Sequence, residues 1–103
     1  MSELEEMLAG QLTALRIPFT REVRLVDGRQ YKWDFLVGDW AIEVQGGIWR
    51  YGGHNTGTGI TRDARKHNAL MLLRSCRDLY VTGEMIESGE ALKLIEQALG
   101  IAR

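Results

Sequence analysis

Asp34 and Glu43 stand nine residues apart in the segment YKWDFLVGDWAIEVQGG, with a Gly-Asp pair between them. Gly38-Asp39 is a two-residue turn signal, and a hairpin closed there pairs Val37 with Trp40, Phe35 with Ile42 and Trp33 with Val44 on one wholly apolar face. The same register sets Asp34 opposite Glu43, and Lys32 opposite Gln45, on the other face. Carboxylates facing each other across a strand pair have Cβ atoms about 5 Å apart, and like charges there are destabilising. Three arrangements offset the repulsion: a raised pKa, a basic neighbour such as Lys32, or a divalent cation shared by both, since hard ions such as Mg²⁺ select oxygen ligands. Geometry alone weighs Lys32 and a metal evenly.

The facing pair is followed at once by Gln45, a glycine pair and a loop carrying Trp49, Arg50, Tyr51 and His54, and then by Arg62, Asp63, Arg65 and Lys66 at a helix start. Trp49 and Tyr51 alternate with Arg50, a pattern that suits stacking on bases with a phosphate contact, and equally suits folding over a hydrophobic edge. His54 lies in a polar glycine loop, where phosphate contact, proton transfer and no role at all are all open. Asp63 has a structural reading, favouring the N-terminus of its helix. Glu22 is either a third acid on the site face or an ion-pair partner of Arg21 or Arg24. His67 has no supporting pattern and reads as surface or packing; Asn68, grouped with Ala64, Met71 and Leu72, reads as a hydrogen-bonded core polar group.

The elements that must position these residues follow from periodicity. Leu4, Leu8, Leu12 and Leu15 recur at helical spacing before Pro18, with Glu5 beside the apolar stripe and Glu6 nearly opposite it. Three alternating segments, 19–26, 31–37 and 40–45, form an antiparallel meander, the first hairpin closing on Asp27-Gly28-Arg29. That loop sets Glu22 across from Asp34. After the glycine loop a second helix starts with Thr61 as N-cap and Asp63 in its first turn, and runs into LMLLRSC. The lone Cys76 has no partner for an internal disulfide and reads as packing. Residues 78–82 form a strand reached by a crossover, hence parallel to an earlier one, and a final helix capped by Ser88 ends at Gly100. The order is α-β-β-β-α-β-α, an α/β class with a mixed four-stranded sheet flanked by helices.

With 103 residues, 45% hydrophobic and 26% charged, the chain is expected to form one domain over 1–103. No apolar run approaches a membrane span and the acidic start is unlike a signal peptide, so a cytoplasmic protein without membrane contact is expected. The net charge of -1 averages opposites: residues 16–77 hold eleven Lys/Arg against six Asp/Glu, while each end contributes -3. Six of twelve glycines fall between Gly46 and Gly59, a concentration expected of a functional loop.

Asp34 followed by Glu43-Val44-Gln45 on the next strand, in that order of elements, resembles the PD-(D/E)XK nuclease superfamily. The segments REVRL, YKWDF, WAIEVQGG, RDARKHNAL and VTGEM, with His54 between the third and fourth, are similar more particularly to small phage-type endonucleases of the VRR-NUC and very-short-patch-repair-like branch. The resemblance runs from Glu5 to about Leu99. It implies a restriction-endonuclease-like core, DNA as substrate, and Mg²⁺ or Mn²⁺ held by Asp34, Glu43 and the Val44 carbonyl, with Glu5 acting through water. The superfamily usually has a lysine where this chain has Gln45. Gln45 can position the attacking water but carries no charge, so Lys66 is the preferred replacement and Lys32 the second. Trp49, Arg50, Tyr51, His54, Arg62 and Arg65 are the DNA-contacting candidates. One active site per chain makes a homodimer an option for cutting both strands. Two rival readings are a DNA-binding or scaffold module of the same fold without catalysis, and an interaction protein whose acidic terminal helices meet a basic partner.

Overall fold

The structure is a computed structural model that describes residues 2–45 and 57–101. Its elements are α1 (Glu3–Ala14), β1 (Thr20–Val23), β2 (Trp33–Val37), β3 (Trp40–Gln45), α2 (Gly57–Leu73), β4 (Arg77–Thr82), α3 (Gly83–Ser88) and α4 (Glu90–Leu99). The four strands lie in the order β1-β2-β3-β4; β1, β2 and β3 are antiparallel neighbours, and β4 runs parallel to β3. The expected mixed sheet and its crossover are therefore present. No helix among the described residues is long and apolar enough to cross a membrane.

The Gly38-Asp39 turn sets the β2–β3 register as expected: Val37 pairs with Trp40, Leu36 with Ala41 and Phe35 with Ile42. Gly38 takes a φ of +61°, open to glycine at little cost, and a Cβ there would press on Leu99 at 3.2 Å. Along β3, side chains alternate between two cores. Ile42 joins Phe35, Val37 and Val81 under Leu8 and Leu12 of α1, Ile86 of α3, and Ala91 and Ile95 of α4. Ala41, on the opposite face, packs with Trp33 and Leu70 of α2. Each large side chain so enclosed contributes about 1.5–3 kcal/mol of transfer free energy.

Trp33 departs from the expected apolar face. Phe35 and Trp33 should share one side of β2, yet they fall in different cores. Between the rungs Arg21–Phe35 and Val23–Trp33, Glu22 takes a left-handed φ of 52°, and the strand pair turns there. The β1–β2 ladder stops at Val23–Trp33, but its register is the one expected of a three-residue loop at Asp27-Gly28-Arg29, and the Arg29 N–H closes that turn on the Val26 carbonyl at 3.2 Å. Trp33 packs against Leu70 of α2 and Ala41 of β3.

The helices differ from expectation at their ends. Helix α2 begins at Gly57, so Thr61 is not its N-cap and Asp63 is not in its first turn. Its core contact runs through Leu70, while Ala64, Asn68 and Leu72 are exposed, Leu72 to 82%. Asn68 is thus a surface residue. The helix ends at Leu73, leaving Cys76 in the connector, against the core of Trp33, Ala41 and Leu70. Residues read as a connector form α3, capped by Thr82, whose hydroxyl accepts the Met85 N–H at 3.2 Å. Ser88 closes α3, and Gly89, with φ +88°, is the N-cap of α4. A Cβ on Gly83 would sit 2.9 Å from Leu4, so the start of α3 can lie directly against the turn of α1 that carries Glu5.

Candidate functional site

The β2–β3 ladder has its last paired rung at Phe35–Ile42, and beyond it Asp34 takes over a backbone role. Its Oδ2 accepts the Val44 N–H at 2.7 Å, bridging the two strands with a side chain. Glu43 precedes Val44 and shares its face of the sheet with Ala41. There Lys66, from α2, donates Nζ to Glu43 Oε1, and its ammonium lies 4.8 Å from the centre of the Trp33 ring. A cation over an indole face is held by the ring quadrupole. Val44 and Gln45 continue β3 in parallel register with Val81 and Thr82.

The carboxylates at this end of the sheet act on one another. Burial raises the Glu43 carboxyl above its ordinary value of 4.5; the hydrogen bond and charge of Lys66 pull it back, and Asp34 and Asp78 push it up again. Glu5 is raised too, by burial first and by Asp34 second, against the lowering effects of Ser2 and Arg21. Glu5 thus belongs to the same electrostatic group as Asp34, while Glu6 faces solvent, as the helical wheel requires. Arg21 reaches Glu6 at 2.9 Å and approaches Glu5 at 3.9 Å, its guanidinium 5.3 Å from the Phe35 ring centre.

The basic neighbour of the facing acids is therefore Lys66. Lys32, the alternative, is drawn off to Glu22 at 3.5 Å, and that ion pair also gives Glu22 a structural role with a partner other than Arg21 or Arg24. Lys66 does not exhaust the acids. Asp34 engages Oδ2 and Glu43 engages Oε1, so each keeps a second oxygen without a partner among the described residues. Two carboxylates with free oxygens, mutually repelling and half-buried, suit a hard divalent ion completed by water and phosphate oxygens. Among the described residues no three acidic, histidine or cysteine side chains converge as a closed metal cage.

A second polar group lies beside the first and has no local sequence signal. Asp78 on β4, its side chain 5% exposed, accepts the Trp33 Nε1–H at 3.1 Å and also faces His67 Nδ1. A carboxylate only accepts, so Nδ1 carries the proton and Nε2 is left for outside contacts. Tyr80 pairs with Glu43 across β3–β4; burial, then Asp78, Glu43 and Asp63, hold its phenol above its ordinary value of 10.0. Asp63, Ala64, His67, Asn68 and Tyr80 line a depression of about 370 Å³. Spacing alone hides this group, because His67 and Asp78 meet only through the turn from α2 into β4.

Arg62 and Arg65 are exposed on α2, the helix that carries Lys66. Trp49, Arg50, Tyr51 and His54 lie outside the described residues.

Strand order, the parallel β3–β4 pair and helices on both faces define an α/β fold with acids gathered where β2 and β3 part. Among solved structures the chain is similar to the catalytic domain of the homing endonuclease I-Bth0305I, with a TM-score of 0.66 and 21% identity over 94% of this chain and 92% of that one. At that identity the likeness establishes the fold. No family model matches the chain, and no curated protein matches it.

Proposed function

We propose that this chain is a divalent-metal-dependent DNA endonuclease of the PD-(D/E)XK type. The observation that carries the reading is the group at the end of the sheet: Asp34 and Glu43 from adjacent strands, each with an uncommitted oxygen, and Lys66 against Glu43. The resemblance in fold to a homing endonuclease catalytic domain supports it.

Asp34, Glu43 and the Val44 carbonyl would hold Mg²⁺ or Mn²⁺, and Glu5 would act through water. The ion supplies positive charge that acidifies a water and stabilises the scissile phosphate. Asp34 also fixes the Val44 backbone through its hydrogen bond, so the acid and the neighbouring carbonyl hold their spacing together. Lys66 supplies the charge that Gln45 lacks. Its ammonium lies between Glu43 and Trp33, available to a phosphate oxygen or to the attacking water. Gln45, on the last rung of β3, orients the water through its amide. Arg62 and Arg65 meet the phosphate backbone from the exposed face of α2, joined by Trp49, Arg50, Tyr51 and His54. One such site cuts one strand, and a homodimer would supply the second.

One observation favours a second reading, a DNA-binding module of this fold without catalysis: the lysine contact on Glu43 already offsets part of the charge a metal would neutralise. Incubation with supercoiled, nicked, flapped and branched DNA in Mg²⁺, Mn²⁺ or EDTA separates the two. The nuclease reading expects metal-dependent cutting of at least one substrate. Binding without cutting in every condition favours the module. Product strandedness together with mass in solution decides between a monomeric nicking enzyme and a dimer.

A further inference from the structure

We infer that the depression between α2 and β4 is a nucleobase pocket, taking one unstacked base of the DNA strand whose phosphate is cut. The inference rests on the nuclease reading for its substrate and on separate residues for its chemistry. The pocket adjoins the acids directly: Tyr80 is the β4 partner of Glu43, and His67 follows Lys66 on α2. A phosphate at the acids therefore leaves its neighbouring nucleotide beside Tyr80.

The lining suits a base and not a phosphate. Tyr80 is 46% exposed, an aromatic ring left open at the surface, and every base offers a face to stack on it. The Ala64 methyl adds apolar contact. The Asn68 amide can donate and accept on a base edge at once, as amides do with adenine, and the Asp63 carboxylate accepts from exocyclic amines while repelling phosphate. His67 is fixed by design of the fold: Asp78 holds its Nδ1, and Trp33 in turn holds Asp78. The imidazole enters the pocket wall as an oriented ring with Nε2 free for an outside contact. A volume of about 370 Å³ is ample for a single base.

A base inside a duplex is stacked on both faces and paired along one edge, so occupation of this pocket requires a frayed, flapped or single-stranded nucleotide next to the cut, and selects for such DNA. The test uses a fluorescein-labelled flap oligonucleotide and a series in which each nucleotide around the flap junction is replaced in turn by an abasic analogue. Affinity is measured by anisotropy in EDTA, and cutting is measured in Mg²⁺. One abasic position should weaken binding by about tenfold, within the range for one base on one aromatic ring. Tyr80→Ala should bind the intact strand about tenfold more weakly and lose sensitivity to that position, while Tyr80→Phe keeps both. Equal binding across the whole abasic series, or undiminished discrimination in Tyr80→Ala, overturns the pocket. Cutting that proceeds equally on every abasic strand overturns the pocket and leaves the nuclease intact. Position-dependent binding without cutting in any metal leaves the pocket intact and overturns the nuclease.

Discussion

Replacing Asp34 by Asn keeps a side-chain carbonyl where Oδ2 accepts the Val44 N–H at 2.7 Å, and removes a charge that adds to burial in raising Glu43 and Glu5. A neutral acceptor in place of a charged one loses about 1 kcal/mol, and relief of repulsion among the three acids offsets it. The fold of Asp34→Asn should therefore stay within about 1 kcal/mol of the parent. Asp34→Ala removes the same charge and also strands the Val44 N–H where the ladder no longer pairs it, at about 1–3 kcal/mol. The two variants should differ by about 2 kcal/mol. In a domain of this size that is roughly 8–16 °C in melting temperature. Both should cut DNA at least about a hundredfold more slowly, because the charge stabilisation at stake is several kcal/mol. Paired thermal melts in EDTA and initial cleavage rates in Mg²⁺ measure the two roles separately. Coincident melts would refute the bridging role, and wild-type cutting by Asp34→Asn would refute the metal role.

Further expectations follow from the neighbouring groups. In metal-free protein, Glu5 and Glu43 hold their protons to higher pH when folded than when unfolded, so stability falls as pH rises from about 4.5 through their raised values; urea unfolding across pH 4–7 in EDTA should show the fall, and Glu5→Gln with Glu43→Gln should remove it. Lys66→Met keeps an apolar stem against Trp33 but no charge, and should lower the cleavage rate while Mg²⁺ affinity by calorimetry is retained; an unchanged rate would transfer its role to Gln45. Trp33→Phe deprives the buried Asp78 of one donor and should cost about 2 kcal/mol by chemical denaturation. An unaltered midpoint would mean that His67 alone satisfies that carboxylate.

The hairpin from Val37 to Trp40 was legible because a two-residue turn and a period of two leave one register that gathers the apolar side chains. Glu5 was legible for a similar reason, its angle on α1 being set by the leucine spacing. Trp33 escapes that rule because alternation assumes a regular strand, and the left-handed Glu22 on the neighbouring strand has no signature in residue type. On α2 the run LMLL offers several apolar faces, and only the packing against Ala41 and Trp33 selects Leu70 and leaves Leu72 exposed. Lys66 was reachable as a cation near the start of that helix, though only the packing of α2 sets it against Glu43. Asp78 and His67 were not, since each alone is an ordinary polar residue and they become a pair only when β4 lies beside β3.

The divalent-cation site proposed at Asp34 and Glu43 must show itself in DNA cleavage. Its most direct test is the initial rate of plasmid nicking as Mg²⁺ is titrated, with wild type and Glu43→Gln side by side. In the wild type the rate should rise from zero in EDTA and saturate with Mg²⁺, and in Glu43→Gln it should stay at background. Nicking that persists in EDTA, or that Glu43→Gln leaves at the wild-type rate, would contradict it.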